Sequence, residues 1–423
     1  MTVLISGAGI AGLSLGLTLH QIGVPFRIFE SVQVLQPLGV GINLQPSAVR
    51  ELFDLGLETE LDALGVRTRS YGFYTKSGRE IWTEPRGKWA GYRWPQYSVH
   101  RGAFQMMLYR TLILRAGEDC VVTASRASGF TNHADKAMLH LQGPSGPFPA
   151  EGQLIIAADG IHSAIRHQIY PDEGAPIWAG AVLWRGTTQA APFLDGGAMV
   201  LAGHDSQRFV AYPITGPDPE TGLATINWIA EIRVDPAQGW NKEDWNRAAD
   251  TGDFLPAFKD WVFDWLNVPA LIRRADKVYE YPMVDRDPIP RWTEGRVTLM
   301  GDAAHPTYPV GSNGATQAII DARLIGASLR DIGVGPEALL AYEGIARPRT
   351  REVILANRGS GPDAIMQLVE DRCGGVFERI DDVIPRAKLA AHAARYKQLA
   401  GFSIEALNAE SPLVGAYAGG PGQ

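Results

Sequence analysis

GRVTLMGDAAHPTYPVGSNGATQAIIDARLI, residues 295–325, is the stretch whose reading decides the fold. Arg296 to Met300 is β-branched and apolar between turn formers, so it reads as a buried strand. At Gly301-Asp302 the chain turns and leaves a carboxylate at the carboxyl end of that strand. Pro306 and Pro309 then hold the loop extended, because each proline fixes its own φ and restricts the residue before it. Gly311, Ser312, Asn313 and Gly314 open a helix whose apolar positions Ala318, Ile319, Ala322, Ile325 and Leu329 recur at helical spacing. A strand, an acid, a stiff loop and an unencumbered helix N-terminus suit a polyhydroxylated ligand that carries negative charge.

The chain begins with the same kind of unit. Thr2 to Ser6 is an apolar strand, GAGIAG (Gly7, Gly9, Gly12) follows at once, and Leu13 to Gln21 reads as a helix. A second strand, Pro25 to Phe29, ends in Glu30. Gly7 allows the tight turn, Gly9 lets backbone approach a pyrophosphate, and Gly12 lets the helix pack closely. Glu30 stands 18 residues after Gly12 (30 − 12), near the roughly 20 expected of an acid that bonds a ribose hydroxyl. A third unit is Leu154 to Ala158, wholly apolar as in a sheet covered on both faces, ending in Asp159-Gly160 before a helix with Ser163 and Arg166. Ligands of open α/β sheets bind outside the carboxyl ends of the strands, so three distant segments are expected to converge on one ligand.

Between these units lie a loop at 37–43, either a connector or a run beside a flat ligand, and a helix from Ser47 to Leu55. A hairpin is expected at 70–83 and a turn at 84–87. Arg101 stands at a strand-to-helix junction, where it is either a phosphate or ribityl partner or a surface arginine. Val121 to Phe130 and Ala137 to Leu141 read as strands followed by the turn-rich GPSGP. From about 175 to 290 the texture changes to aromatic-rich strands (181–187, 199–202, 208–214, 225–232 and 278–283), with a helical piece expected from Lys242 to Leu266. The fold class is therefore α/β: a Rossmann-like domain with a parallel sheet (1–174 and 291–360), an inserted antiparallel-sheet domain (175–290, with strands from about 70–100), and a helical tail (361–423). Within the tail, Arg386 to Leu399 is basic and amphipathic, a solvated face or a membrane-surface contact.

Composition narrows the partners. The 423 residues are 45% apolar and 20% charged, the profile of an ordinary globular protein. A net charge of −7 without a basic block excludes nucleic acid as the expected partner. The two cysteines, Cys120 and Cys373, form no CxxC motif, so neither a disulfide scaffold nor a metal site is expected. A core strand at Val3 leaves no room for a signal peptide and no apolar run approaches a membrane span, so the expectation is a cytoplasmic protein, monomer or homodimer, without stable membrane insertion.

A nicotinamide dehydrogenase needs the first motif but not two later Asp-bearing strand ends. A disulfide reductase needs a second glycine fingerprint and a redox cysteine pair. One long dinucleotide laid along the whole sheet edge, FAD, remains. Asp302 would bond its ribityl or ribose hydroxyls, and the helix starting near Asn313 would aim its positive end at the flavin pyrimidine.

GAGIAG, ADGIHSAIR and GDAAHPTYPVGSNGA together resemble the three motifs of the single-component FAD-dependent aromatic hydroxylases, the para-hydroxybenzoate and salicylate hydroxylase superfamily. The resemblance spans about residues 1 to 358. PLGVGINLQPSAV, EPRG, PQYSVHRG, INW, YPMVDRDPIPRW and VGSNGATQAIIDA draw it toward the 5-methylphenazine-1-carboxylate hydroxylase type; the tail beyond about 360 departs and carries no inference about substrate. The resemblance implies cofactor contacts from Gly7, Gly9, Ile10, Ala11, Gly12, Glu30, Gly41, Arg101, Ala127, Asp159, Asp302, Pro309, Gly311, Asn313 and Gly314. It implies NADH or NADPH and O2 as co-substrates, and hydroxylation, with or without decarboxylation, of a small aromatic or fused heteroaromatic through a flavin C4a-hydroperoxide. No side-chain nucleophile and no metal is required.

For the substrate pocket the sheet face carrying Trp184, Arg185, Tyr212 and Trp228 is expected, closed by Met283 and the Tyr308-Pro309-Val310 loop, while Trp184, Tyr212, Trp228 and Tyr281 each either line that pocket or pack in the core. Arg185 pairs either with a substrate carboxylate or in a structural ion pair. His305 reads as structural or flavin-adjacent. Two other functions remain open: an FAD-dependent reductase or dehydrogenase that does not use O2, and a flavin-binding accessory protein without turnover.

Overall fold

The computed structural model describes residues 2–235, 247–359, 361–401 and 403–418. Strand Val3–Ser6 lies at the middle of a six-stranded sheet, between Leu154–Ala157 and Phe26–Phe29, with Val297–Leu299 beyond the former and Val121–Val122 beyond the latter. These five run parallel; Thr293–Glu294 adds an antiparallel edge. Every residue of Val3–Ser6, Leu154–Ala157 and Val297–Leu299 is buried, because helices cover one face of the sheet and the antiparallel strands between 126 and 152 cover the other. Ser6 is level with both Ala157 and Phe29, and Ala157 with Leu299, so all four strands end at one border. Helix Ile10–Gln21 packs between Gly314–Ile332 and Arg101–Ala116, and Pro336–Asn357 lies against Gly314–Ile332.

The second layer is an eight-stranded sheet in the order Arg247–Ala248, Val278–Asp285, Ile177–Ala190, Ala224–Arg233, Gln207–Pro213, Ala198–His204, Ser70–Tyr74, Glu80–Pro85. The 70–85 hairpin thus completes the sheet of the 175–290 region, joined through a parallel pairing with Ala198–His204. Gln96–His100 instead pairs with Gly41–Leu44 and Val66–Thr68 in a small sheet between the layers.

One expectation changes, and two gain detail. The helix expected from Lys242 to Leu266 lies partly outside the described residues, and its remainder is a two-residue strand followed by 3-10 turns at Thr251–Asp253 and Leu255–Phe258. GPSGP is a turn, as expected, and the next element is a further strand, Gly146–Gly152, of a three-stranded meander with Ala137–Gly143 and Arg126–Asn132. The helical tail packs on the rest of the protein. Ile365, Met366, Val369 and Leu389 are buried against the eight-stranded sheet, and Tyr396 packs on Val353 and Ala356. Arg386–Leu399 therefore buries Leu389 and Tyr396 on the protein itself. Among the described residues no helix is long and apolar enough to cross a membrane.

A candidate flavin cleft and the cavity beside it

At the common border the first turn is shaped by two close approaches. Gly7 has φ +102°, and a Cβ there would lie 2.5 Å from the Ala158 carbonyl oxygen. A Cβ on Gly12 would lie 2.0 Å from the Gly7 carbonyl oxygen, so the glycines hold strand and helix together. Ile10 and Ala11 bury their side chains in the core and present only backbone N–H groups. The helix has no side-chain cap and no acid in its first turn, leaving those donors for an anion. A Cβ on Gly9 would meet nothing within 4 Å, which leaves the approach open.

Glu30 is fixed before any ligand arrives. One carboxylate oxygen accepts the Ala8 N–H (2.7 Å) and the other the Val32 N–H (2.9 Å) and the Ser31 hydroxyl (3.0 Å). With Gly7, Gly9, Arg101, Ala127 and Asp159 it lines a cleft of about 450 Å³. Asp159 accepts the Ala164 N–H on Oδ2 (3.1 Å), while its Oδ1 is buried without a hydrogen bond. Burial pushes its carboxyl up to about 6, against hydrogen bonds from Ser163 and nearby backbone. From the same motif, buried Arg166 donates to the Ala303 and Ala304 carbonyls at 3.0 and 2.9 Å and pairs with Glu173, tying the second motif to the third.

In the third motif the strand ends at Leu299 and Asp302 sits in a 3-10 turn, its side chain open to the adjoining cavity. Burial among the walls raises its carboxyl above the ordinary range, with the charges of His305 and Arg101 opposing. His305 lies beneath the loop: its Nε2 meets Asp321 Oδ2 at 2.5 Å, and the same oxygen accepts the Gly301 N–H at 2.8 Å. Burial disfavours the imidazolium, but Asp321 outweighs it and raises His305. His305 thus braces the loop. The loop is not extended throughout, since Pro309 (φ −72°, ψ 22°) starts a turn through Val310–Ser312 in which Gly311 has φ +69°. A Cβ on Gly311 would lie 1.9 Å from the Tyr396 hydroxyl of the tail. That hydroxyl accepts from Asn313 Nδ2 (2.6 Å) and donates to Asn357 Oδ1 (2.9 Å), while Asn313 Oδ1 stays buried without a partner. Helix Gly314–Ile332 again has no side-chain cap, and a Cβ on Gly314 would meet nothing within 4 Å.

The cavity beyond, about 210 Å³, lies between this helix start and one face of the eight-stranded sheet. Cross-strand partners share a face, and neighbours along a strand do not. Arg185 opposes Ile229, which opposes Val210; these line the cavity together with Tyr212, Met283 and Pro309. Trp184 and Trp228 point the other way, which corrects the expectation that they line the pocket. Trp184 stacks on Phe254 at 4.7 Å and donates to Glu280; Trp228 is fully buried and donates to Thr188. Tyr281 faces a side cavity of about 220 Å³ shared with Arg185 and Asp302.

Arg185 donates to the Gly41 carbonyl (3.1 Å) and lies 5.8 Å from the Tyr281 ring, while its Nε is buried without a partner. No carboxylate of the described residues lies within 4.0 Å of it, so the structural ion pair is absent there. Burial lowers its affinity for its proton; burial likewise pushes Tyr212 up to about 12, and Arg185 opposes that shift by favouring the phenolate. Gly41 is held in turn by its N–H on Asn227 Oδ1 at 2.6 Å. Asn227, Arg208, Glu231 and Asp363 escaped the sequence reading; the first three share the cavity face by alternation with Arg185, and Asp363 comes from the tail.

Two uncapped helix starts, an ordered acid at the end of the second strand and two acids at the ends of later strands define a dinucleotide-binding flavoprotein site. Buried Asp159 Oδ1 and Asn313 Oδ1 without partners, and open space at Gly9 and Gly314, fit FAD along the border. Residues 1–356 match the FAD binding domain family. Phenazine 1,6-dicarboxylic acid hydroxylase PhzS of Lysobacter antibioticus is 43% identical, over 84% of this chain and 89% of that one. 3-Amino-4-hydroxybenzoate 2-monooxygenase PtmB3 of Streptomyces platensis is 32% identical over 90% and 94%. A salicylate hydroxylase substrate complex has the same fold, with a TM-score of 0.75 at 21% identity over 98% of both chains. The chain belongs to the FAD binding domain family. It is an FAD-dependent aromatic monooxygenase that uses NAD(P)H and O2.

Proposed function

We propose that the substrate is a carboxylated, fused heteroaromatic acid, bound in the cavity between the Gly314 helix start and the Arg185 face. The observation that carries this is the buried guanidinium of Arg185, without a counter-ion among the described residues, beside the apolar wall of Leu183, Val210, Ile229 and Met283. A planar carboxylate meets such a fork bidentately and relieves its desolvation. The relative that acts, by its name, on a phenazine dicarboxylic acid supports the ring class.

The chemistry FAD supplies when bound is reduction by NAD(P)H and activation of O2 for insertion of one oxygen atom into the ring. The chain does the rest. Asp302 accepts from ribityl hydroxyls, Glu30 and the first helix start take the adenosine ribose and pyrophosphate, and Arg101 lines the same cleft, near enough for its charge to favour ionised Asp302. The positive end of Gly314–Ile332 favours negative charge on the adjacent ring. Leu183, Val210, Ile229 and Met283 exclude water from the reacting face. In this reading 1–174 and 291–360 act as the flavin unit and 175–290 as the substrate layer, while the tail contributes Asp363 to the cavity. Two free cysteines suit a reducing cytoplasm, and a monomer or homodimer suffices because this one chain supplies every residue named.

The test is steady-state turnover of the FAD-loaded enzyme with phenazine, quinoline and salicylate-type acids. An acid of the fused class should stimulate NAD(P)H and O2 consumption and give a product labelled from 18O2, and Arg185→Gln should raise its KM by about 10- to 100-fold. Anaerobic turnover, or a product without labelled oxygen, would support a reductase instead. An unchanged KM in Arg185→Gln would remove the carboxylate assignment.

A further inference from the structure

At the end of the cavity away from Gly41 lies a second group of charges. Glu231 opposes Leu183 on one side and Arg208 on the other, so it shares the cavity face with Arg185, one step diagonally along the sheet. Diagonal neighbours stand on the order of 7–8 Å apart at the backbone. The two side chains then diverge. Arg185 reaches the Gly41 carbonyl, whereas Glu231 lies toward Arg208 and, beyond it, Asp363 of the tail.

Arg208 is already engaged. Its Nη1 is 2.8 Å from Asp363 Oδ2, and its Nη2 donates to Asp205. It approaches Glu231 Oε1 only to 3.6 Å, too far for a hydrogen bond. Glu231 is 7% exposed, and its Oε1 is buried with no hydrogen-bond partner. One cation thus faces three carboxylates, and the one that lines the cavity without a donor is Glu231. An acceptor buried in this way is costly unless something that enters the cavity supplies the donor.

We infer that Glu231 is a specificity-determining residue: it accepts a hydrogen bond from an amino group, a ring N–H or a protonated ring nitrogen at the end of the substrate remote from Arg185. The site then takes an amphoteric N-heteroaromatic acid, with its carboxylate on Arg185 and a donor on Glu231, and disfavours a second carboxylate. This rests on the reading of the cavity as the substrate site and says which member of that class fits. Burial pushes the Glu231 carboxyl up and Arg208 opposes it, so a donor from the ligand stabilises the form that the empty cavity disfavours. A site built around a hydrogen bond rejects ligands that lack it more strongly than an apolar wall rejects a change of shape.

The experiment measures dissociation constants of the FAD-loaded enzyme from ligand-induced changes in the flavin spectrum. Three probes share one carboxylate: phenazine-1-carboxylate, 6-aminophenazine-1-carboxylate and phenazine-1,6-dicarboxylate. The parent enzyme should bind the amino acid at least about tenfold more tightly than the monoacid, and the diacid more weakly than either. Glu231→Leu should bring all three within about threefold of one another, and Glu231→Gln, which keeps a neutral acceptor, should lie between. Arg185→Gln should weaken all three alike. Thermal melting shows whether each variant is folded, and the isosteric Glu231→Gln carries the test if Glu231→Leu is not. Unchanged ratios in the Glu231 variants, a parent that prefers the diacid, or a parent that binds none of the three would overturn the inference. O2 uptake on the same samples separates this from the hydroxylase reading: ratios that shift without O2 uptake leave Glu231 in its role and remove the oxygenation.

Discussion

Asp302 stands at a strand end and opens to both cavities, and in the proposed function it is the acceptor for the ribityl hydroxyls. Asp302→Ala should weaken FAD by about 10- to 100-fold, the loss of one or two charge-assisted hydrogen bonds, read by titrating apoprotein with FAD. Affinity equal to the parent's would show that the assignment is mistaken. Asp159 gives a prediction in pH. Its folded carboxyl is raised to about 6 from an ordinary 3.8, so the folded apoprotein holds that proton more tightly than the unfolded chain. Its contribution to stability therefore falls as pH rises from about 4 to 6 and stays low above. Apoprotein Asp159→Asn should gain about 1 kcal/mol over the parent at pH 7, a modest figure because the cleft admits water, and almost nothing at pH 4. A gain that does not depend on pH would contradict this. Both acids were legible because each follows a buried strand; Glu231 was not, since a carboxylate within a strand reads as solvent-facing until the register puts it opposite Arg208.

Strand alternation is the rule that separates the aromatic residues. Trp184 and Arg185 are consecutive, and Trp228 follows Asn227, so neither tryptophan shares the cavity face with its polar neighbour. That separation is legible in the sequence, because adjacent residues of a strand face opposite sides of its sheet. Trp228→Ala should cost about 3–5 kcal/mol of stability, seen in denaturant unfolding, while the folded fraction keeps its KM. A raised KM at parental stability would return Trp228 to the pocket. The misread helix has a different cause. Phe254, Phe258 and Trp261 fall at i, i+4 and i+7, which imitates a helix, but Pro256 interrupts that pattern, and Trp261, Phe263 and Trp265 alternate instead. Phe254, Phe258, Trp261 and Phe263 still reach the core, but from turns. At the start of Gly314–Ile332 the Tyr396 hydroxyl bridges Asn313 and Asn357. Tyr396→Phe should lower stability by only about 1–2 kcal/mol but oxidise more NAD(P)H per hydroxylated product, because the loop beside the flavin loses its brace. An unchanged ratio of product to NAD(P)H would refute that role.

Over the whole molecule, residues some 300 apart in the chain meet because one parallel register makes Ser6, Ala157 and Leu299 level. The sequence carried that convergence, since each segment is an apolar run broken by Gly or Asp, and an apolar run of that length must be covered on both faces. What it did not carry is how the tail closes the structure: Asp363, Met366 and Tyr396 dock through contacts with strands and loops that no local period encodes. The account stands on one flavin lying along this border with its ring against the Arg185 cavity. Titration of apoprotein with FAD, followed by addition of a fused aromatic acid, tests that most directly. One FAD should bind per chain, and the acid should shift the flavin spectrum in the parent but, at the same concentration, barely in Arg185→Gln. A protein that takes up no FAD, or an acid that shifts the spectrum equally in both, would contradict it.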